Sequence, residues 1–149
     1  MTDSKAKNEF GIKADVTNCL FDFAGLAQHA IGDHYSTARG GIVEGEKIQV
    51  ALVRKQPGTG SRLHTHPNEQ FNYVLKGNLK VRVGDVESIA TPGTLIFIPA
   101  NTPHYTVATD EGDVEYFAVK DTSHIMYGDP VDGKNTGAHY DPGFGPDKK

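Results

Sequence analysis

Apolar and polar residues alternate through the middle of this chain with a period of two, the spacing of a half-buried strand. From Lys47, Ile48, Val50 and Leu52 alternate with Gln49, Ala51 and Val53, until Pro57, Gly58 and Gly60 end the segment. Phe71 to Leu75 reads as a second strand, and Gly77-Asn78 as a turn. Leu79, Val81 and Val83 then alternate with Lys80 and Arg82, which predicts a strand with one wet face. Gly84-Asp85 and Pro92-Gly93 mark further turns, the latter before the apolar run Leu95 to Ile98. Tyr105 to Val107 and Val114 to Val119 complete the series. Short strands separated by turns, with no long helical period between them, predict an all-β closed barrel or sandwich.

Outside this region the pattern weakens. Residues 1–9 are polar and charged and read as a solvated tail. Residues 10–46 form an arm expected to pack on the barrel. Within it, Leu20, Phe21, Phe23 and Leu26 suit an extended arm or a short docked helix, and periodicity does not choose between them. Gly40-Gly41 and Gly45 punctuate its end. The barrel is assigned to residues 47–120. Residues 121–149 are rich in Gly, Pro and Asp and predict an irregular C-terminal extension, disordered from Pro146.

Composition narrows the role. The 149 residues suit one core, and a net charge of −4 offers no basic surface for nucleic acid or anionic membrane. Cys19 is the single cysteine, so no intrachain disulfide or thiolate cluster can form. That suits the cytoplasm. No secretory signal pattern opens the chain, and no apolar run reaches transmembrane length. Walker-type loops, GxGxxG units and nucleophile elbows are absent.

Of seven histidines, His64 and His66 are separated only by Thr65. In a strand, residues i and i+2 share a face, so two imidazoles can meet one metal ion. Gln70 follows past Pro67, and His104 stands after the Pro99 to Pro103 turn. Glu69 is the rival to Gln70: strand alternation points it away, but a bulge at Pro67 and Asn68 would swing it inward. Imidazole suits Zn, Ni, Mn, Fe and Cu alike. Asn72 shares the parity of Gln70 and is a candidate pocket group. Arg54 continues the parity of Ile48, Val50 and Leu52. If those face the interior, Arg54 would too, and its guanidinium would suit a carboxylate or enolate.

Gly58, His64-Thr65-His66, Gln70 and Gly77 resemble the first motif of the cupins, and Gly93, Pro99 and His104 resemble the second. The resemblance runs from about Ile48 to Val119. It implies a jelly-roll-type cupin barrel holding one divalent ion (Zn, Ni, Mn or Fe) on His64, His66, Gln70 and His104, and a homodimer; because exposed strand edges invite pairing, the arm around Val16 to Phe23 could pair across that dimer. Three positions depart from the pattern: Gln70 where Glu is usual, Asn101 where Gly is usual, and Ala108 where Asn is usual. The string His64 to Gln70 is similar to a subgroup with three His and one Gln, which includes the cupin that promotes ring opening of unsaturated uronates. Some polyketide-cyclase and hydroxynitrile-lyase cupins also use Gln there.

That subgroup implies redox-neutral Lewis-acid chemistry of lyase, isomerase or cyclase type on a small oxygen-rich substrate, with Arg54 or Asn72 orienting it. Charge argues the same way. Three neutral imidazoles and a neutral amide leave a divalent ion its full charge, which strengthens polarisation of a carbonyl and disfavours a higher oxidation state. Two alternatives stand beside this reading: an Fe(II) dioxygenase acting on a chelating diketone or phenol, and a non-catalytic metabolite-binding cupin.

Overall fold

The structure is a computed structural model and describes residues 5–146. The N-terminal arm supplies β1 (Ile12–Lys13), β2 (His29–Ala30) and β3 (Arg39–Glu44). The central region supplies β4 (Ile48–Lys55), β5 (Thr59–Gly60), β6 (His64–Thr65), β7 (Gln70–Lys76), β8 (Leu79–Val83), β9 (Val86–Ala90), β10 (Leu95–Ile98), β11 (His104–Ala108) and β12 (Val114–Asp121). The C-terminal extension adds β13 (Asp129–Pro130) and β14 (His139–Tyr140). Among the described residues, no helix is long and apolar enough to cross a membrane.

Two sheets form the barrel. One runs β1-β3-β4-β12-β7-β10, with β2 beside β3. The other runs β13-β6-β11-β5-β14, with β8 joining β11 to β9. Register turns the first sheet into rows across neighbouring strands. Val53, Tyr116 and Val74 form one inward row, and Ala51, Ala118, Asn72 and Ile96 the next. Gln49, Lys120, Gln70 and Ile98 form a third. All eleven side chains are buried. Leu79 and Val81 of β8 and Ala108 of β11 join Val74 and Val114 in the apolar core. The interior is therefore apolar toward one end and polar toward the other.

Two expectations are corrected here. Gly40-Gly41, read as punctuation, lies inside a strand, Arg39–Glu44, at the heart of the arm. Its glycines are needed by the packing, because a Cβ at Gly40 would run into the Leu52 carbonyl of the paired strand. The second correction concerns the tail assigned to residues 1–9, of which 1–4 lie outside the described residues. Asn8 is buried, with 6% of its surface exposed. Its amide donates to Glu44 Oε2 at 2.7 Å and Gln49 Oε1 at 2.8 Å, while its Oδ1 accepts from Met126 N at 2.8 Å. One polar side chain thus ties the arm, β4 and the C-terminal extension together. The extension's predicted disorder from Pro146 falls, beyond that residue, outside the described residues.

The outer face of the first sheet is also apolar. Phe71, Tyr73, Leu75, Leu95 and Phe97 stand on it partly exposed, and the rings of Phe71 and Phe97 are 5.0 Å apart. The arm covers part of this face: Phe23 meets Phe117 edge-on at 5.7 Å. Of the two forms open to the arm, it takes a mainly extended one, with a single 3-10 turn at Phe23–Gly25.

Replacing Asn8 with Ala would strand the amide of Met126 and the carbonyl of Gln49. Its cost should be about 2–4 kcal/mol. Urea unfolding measures this directly; a loss within about 0.5 kcal/mol would mark Asn8 as an ordinary surface position.

Candidate metal centre

His64 and His104 are direct cross-strand partners on β6 and β11. Facing pairs bring side chains within contact, and here the ring centroids are 4.2 Å apart. His66 follows β6 and closes the group, 4.7 Å from His104 and 6.2 Å from His64. One donor atom from each imidazole lies within 4.8 Å of the others, and all three residues are buried. An ion held at about 2.1 Å from each nitrogen would draw the three atoms together inside that spread.

Backbone carbonyls set the tautomer of each ring. His64 Nδ1 lies 2.8 Å from Arg62 O, His66 Nδ1 2.9 Å from Asn68 O, and His104 Nδ1 2.8 Å from Thr102 O. A carbonyl oxygen only accepts, so each Nδ1 carries the proton and each Nε2 keeps its lone pair. His66 Nε2 and His104 Nε2 are buried without a hydrogen-bond partner among the described residues. Burial is the main cause that holds these imidazoles neutral. It lowers His66 to about 4 and His104 to about 3, and takes His64 well below its ordinary value. Neutral imidazoles with free, buried lone pairs are the form that binds a metal.

Gln70 faces this group and Glu69 does not. Gln70 is buried on the inward row, whereas Glu69 is exposed and only its backbone N–H is engaged, by Asp121 Oδ2 at 3.0 Å. The Gln70 amide donates through Nε2 to Asn72 Oδ1 at 2.6 Å, which leaves Oε1 buried and without a partner among the described residues. Asn72 lines the cavity and orients Gln70. Asn101, one of the departures from the usual motif, has φ +60°. Asn tolerates this left-handed conformation better than most residues, so the turn survives without glycine. Its N–H donates to His66 O at 2.8 Å, which fastens the turn before His104 to the strand carrying His66.

Arg54 is not in the site. The inward residues of β4 are Gln49, Ala51, Val53 and Lys55, so Ile48, Val50, Leu52 and Arg54 face outward. The Arg54 side chain is 52% exposed and lies 3.7 Å from Glu115. Both faces of β4 are apolar, because the arm and the outer face use Val50 and Leu52. Alternation alone therefore assigns the wrong face.

Several cavity residues carry no motif. Lys55 and Lys120 are buried inside the barrel, and burial lowers each to about 7. Lys55 donates to Thr106 O at 2.8 Å and Thr106 Oγ1 at 2.6 Å; Lys120 donates to Met126 O. Tyr35 is buried against His64, with centroids 4.3 Å apart, and its hydroxyl accepts from Gly128 N at 2.9 Å. Tyr116 is held protonated by burial, pushed up to about 12. Met126 and the pairing of Pro130 with His64 bring the C-terminal extension over the mouth. The parity of Lys55 with Ala51 and Val53, and of Lys120 with Ala118 and Tyr116, was the available signal for the lysines.

Residues 51–120 match the Cupin domain family model. With the two-sheet barrel, this match identifies residues 51–120 as a cupin domain. Among solved structures, the plu4264 protein of Photorhabdus luminescens is 26% identical over 49% of this chain, with a TM-score of 0.46, and the match spans 61% of that protein's length. DMSP lyase DddQ of Ruegeria pomeroyi DSS-3 is 18% identical over 61% of this chain and 46% of its own, with a TM-score of 0.55. An RmlC-like cupin of Shewanella frigidimarina NCIMB 400 is 18% identical over 68% of this chain and 87% of its own, with a TM-score of 0.54. The latter two share the fold. No curated protein matches the sequence.

The unfolded chain holds a proton on Lys55 up to about pH 10.5, whereas the folded chain releases it near pH 7. Folding stability of the metal-free protein should therefore rise with pH across that window, and the cost of the buried charge is fully present below it. Lys55→Met should raise stability at the acid end and flatten the rise, leaving the Lys120 contribution. Unfolding midpoints across the window test this; equal slopes in both proteins would contradict it.

Proposed function

We propose that His64, His66, Gln70 and His104 hold one divalent metal ion, and that the protein is an enzyme acting on a small oxygen-rich substrate by redox-neutral chemistry of lyase, isomerase or cyclase type. One observation carries the reading. The imidazole nitrogens of His64, His66 and His104 converge, and among the described residues His66 Nε2, His104 Nε2 and Gln70 Oε1 are buried without partners; a protein leaves such atoms unsatisfied at a cost unless a ligand meets them. When bound, the ion supplies Lewis-acid polarisation of a carbonyl or hydroxyl oxygen.

The chain's own residues supply the remainder. Burial keeps His64, His66 and His104 neutral, and the Arg62, Asn68 and Thr102 carbonyls hold each ring in one tautomer. Gln70 adds an oxygen without adding charge, and Asn72 holds its amide in place. Tyr35, Tyr116 and Met126 line the cavity. The Ruegeria protein is a lyase by name and shares this fold; at 18% identity that likeness supports compatibility of the barrel with such chemistry and nothing finer. Arg54, turned outward, has no part in substrate orientation.

His104→Ala should abolish stoichiometric metal binding and turnover together, as read by elemental analysis of protein purified anaerobically without a tag. Gln70→Glu should retain the metal while lowering turnover about ten-fold or more, because the added charge weakens polarisation. One equivalent of iron with substrate-coupled oxygen uptake would replace this reading with that of a dioxygenase. Absence of any metal after reconstitution would leave a metabolite-binding module.

We further propose that the protein is a homodimer joined through the outer face of the first sheet. Phe71, Tyr73, Leu75, Leu95 and Phe97 are 39–59% exposed there. With aromatic side chains offering roughly 150–250 Å² each, these residues expose about 400 Å², half of what one partner in a standard interface buries. A continuous apolar patch of that size, on the paired strands β7 and β10, suits a two-fold copy of itself. Sedimentation should give a dimer for the native protein and a monomer for Phe97→Glu; a monomeric native protein would overturn the assignment.

A further inference from the structure

Lys55 and Lys120 are the cations inside the barrel, and their hydrogen-bond partners are all uncharged: Thr106 for one and the Met126 carbonyl for the other. Neither lysine enters an ion pair among the described residues. Among the described residues, no Asp or Glu lines the cavity they share with His64, His104 and Gln70. The buried carboxylate of Glu44 is engaged elsewhere, by the backbone N–H groups of Lys7 and Asn8 and the Asn8 amide. Burying an ammonium without a counter-charge is costly, and two in one cavity add mutual repulsion. For filling space, Met or Leu would serve at neither cost.

Placement gives the pair a direction. Lys120 sits in the row of Gln70, on the neighbouring strand and the same inward face. Lys55 approaches from beyond Val53 and reaches Thr106, two residues along β11 from His104. The cations thus enter the cavity from two strands, on the side of the histidine cluster that faces the barrel interior. The cavity is small, about 40 Å³. A water needs roughly 10–15 Å³ by the same measure, so there is space for about three heavy atoms, the size of a carboxylate.

We propose that Lys55 and Lys120 form an anion subsite within the barrel, and that the substrate of this enzyme bears a carboxylate which they hold beside the histidine cluster. The inference deepens the functional reading above and rests on it only for the position of the reacting group. Charged lysines bind a carboxylate through short, charge-assisted hydrogen bonds. Tyr116, whose hydroxyl lies 3.4 Å from Thr106 Oγ1, stays uncharged and does not compete with the anion.

The test uses the full-length protein reconstituted with zinc, with acetate as probe and acetamide as its neutral counterpart. Calorimetry should show acetate binding at least about ten-fold tighter than acetamide. Lys55→Met and Lys120→Met should each weaken acetate about ten-fold or more, with zinc content unchanged by elemental analysis. Equal binding of acetate and acetamide by the native protein would overturn the proposal whether or not the variants fold. So would acetate affinity unchanged in both variants, since the anion would then be bound without the lysines. Zinc at one equivalent with no lysine-dependent preference would defeat the anion subsite alone. Lysine-dependent acetate binding in a protein that takes up no metal would uphold the subsite and defeat the metal reading.

Discussion

The pairing of His104 with His64 across β11 and β6 is the constraint on which the site depends. A cross-strand pair fixes two side chains at contact distance on one face, and a slip of one residue would send both to the other side. The register is held from several directions. The N–H of Asn101 binds the carbonyl of His66, Ser61 and Thr106 bond across β5 and β11, and Pro130 pairs with His64 from the C-terminal extension. The imidazoles need no large movement to meet an ion, because the sheet has already oriented them.

Buried polarity is the second organising feature. The barrel carries apolar rows at one end and the row Gln49, Lys120, Gln70 and Ile98 toward the other. Every amide there is assigned a task. Gln49 donates to the carbonyls of Asp121 and His124, Asn68 does the same, and Asn72 restrains Gln70. Asn8 joins the same network from the arm. These bonds make the loop at 121–126 part of the barrel wall, so the mouth, the arm and the candidate centre share one set of supports. Buried hydrogen bonds of this kind rigidify a site, and each one broken leaves another group stranded.

Local chemistry was legible in the sequence, and facing was less so. The two histidines one residue apart, the turn before His104 and the glycine turns at Gly77 and Gly93 are local signals, and the structure places each as its spacing implies. Glu69 and Gln70 separate by strand parity as well. Arg54 failed because β4 is apolar on both faces, so the alternation that identifies a strand does not identify its inner side. Lys55 and Lys120 were missed for the converse reason: lysine in a strand is normally solvated, and only the fold shows that these two are enclosed.

By itself, then, the sequence determined that the chain is a run of short strands in a cupin order, with three histidines spaced to meet. Those features depend on periods of two and on turn residues, which act over a few positions. The tertiary structure decided which face of each strand is interior, that Asn8 is a buried tie, that Arg39 to Glu44 joins the sheet, and that two lysines line the cavity. Each of these depends on contacts between residues far apart in the chain, and hydrophobic alternation carries no record of which partner will cover which face.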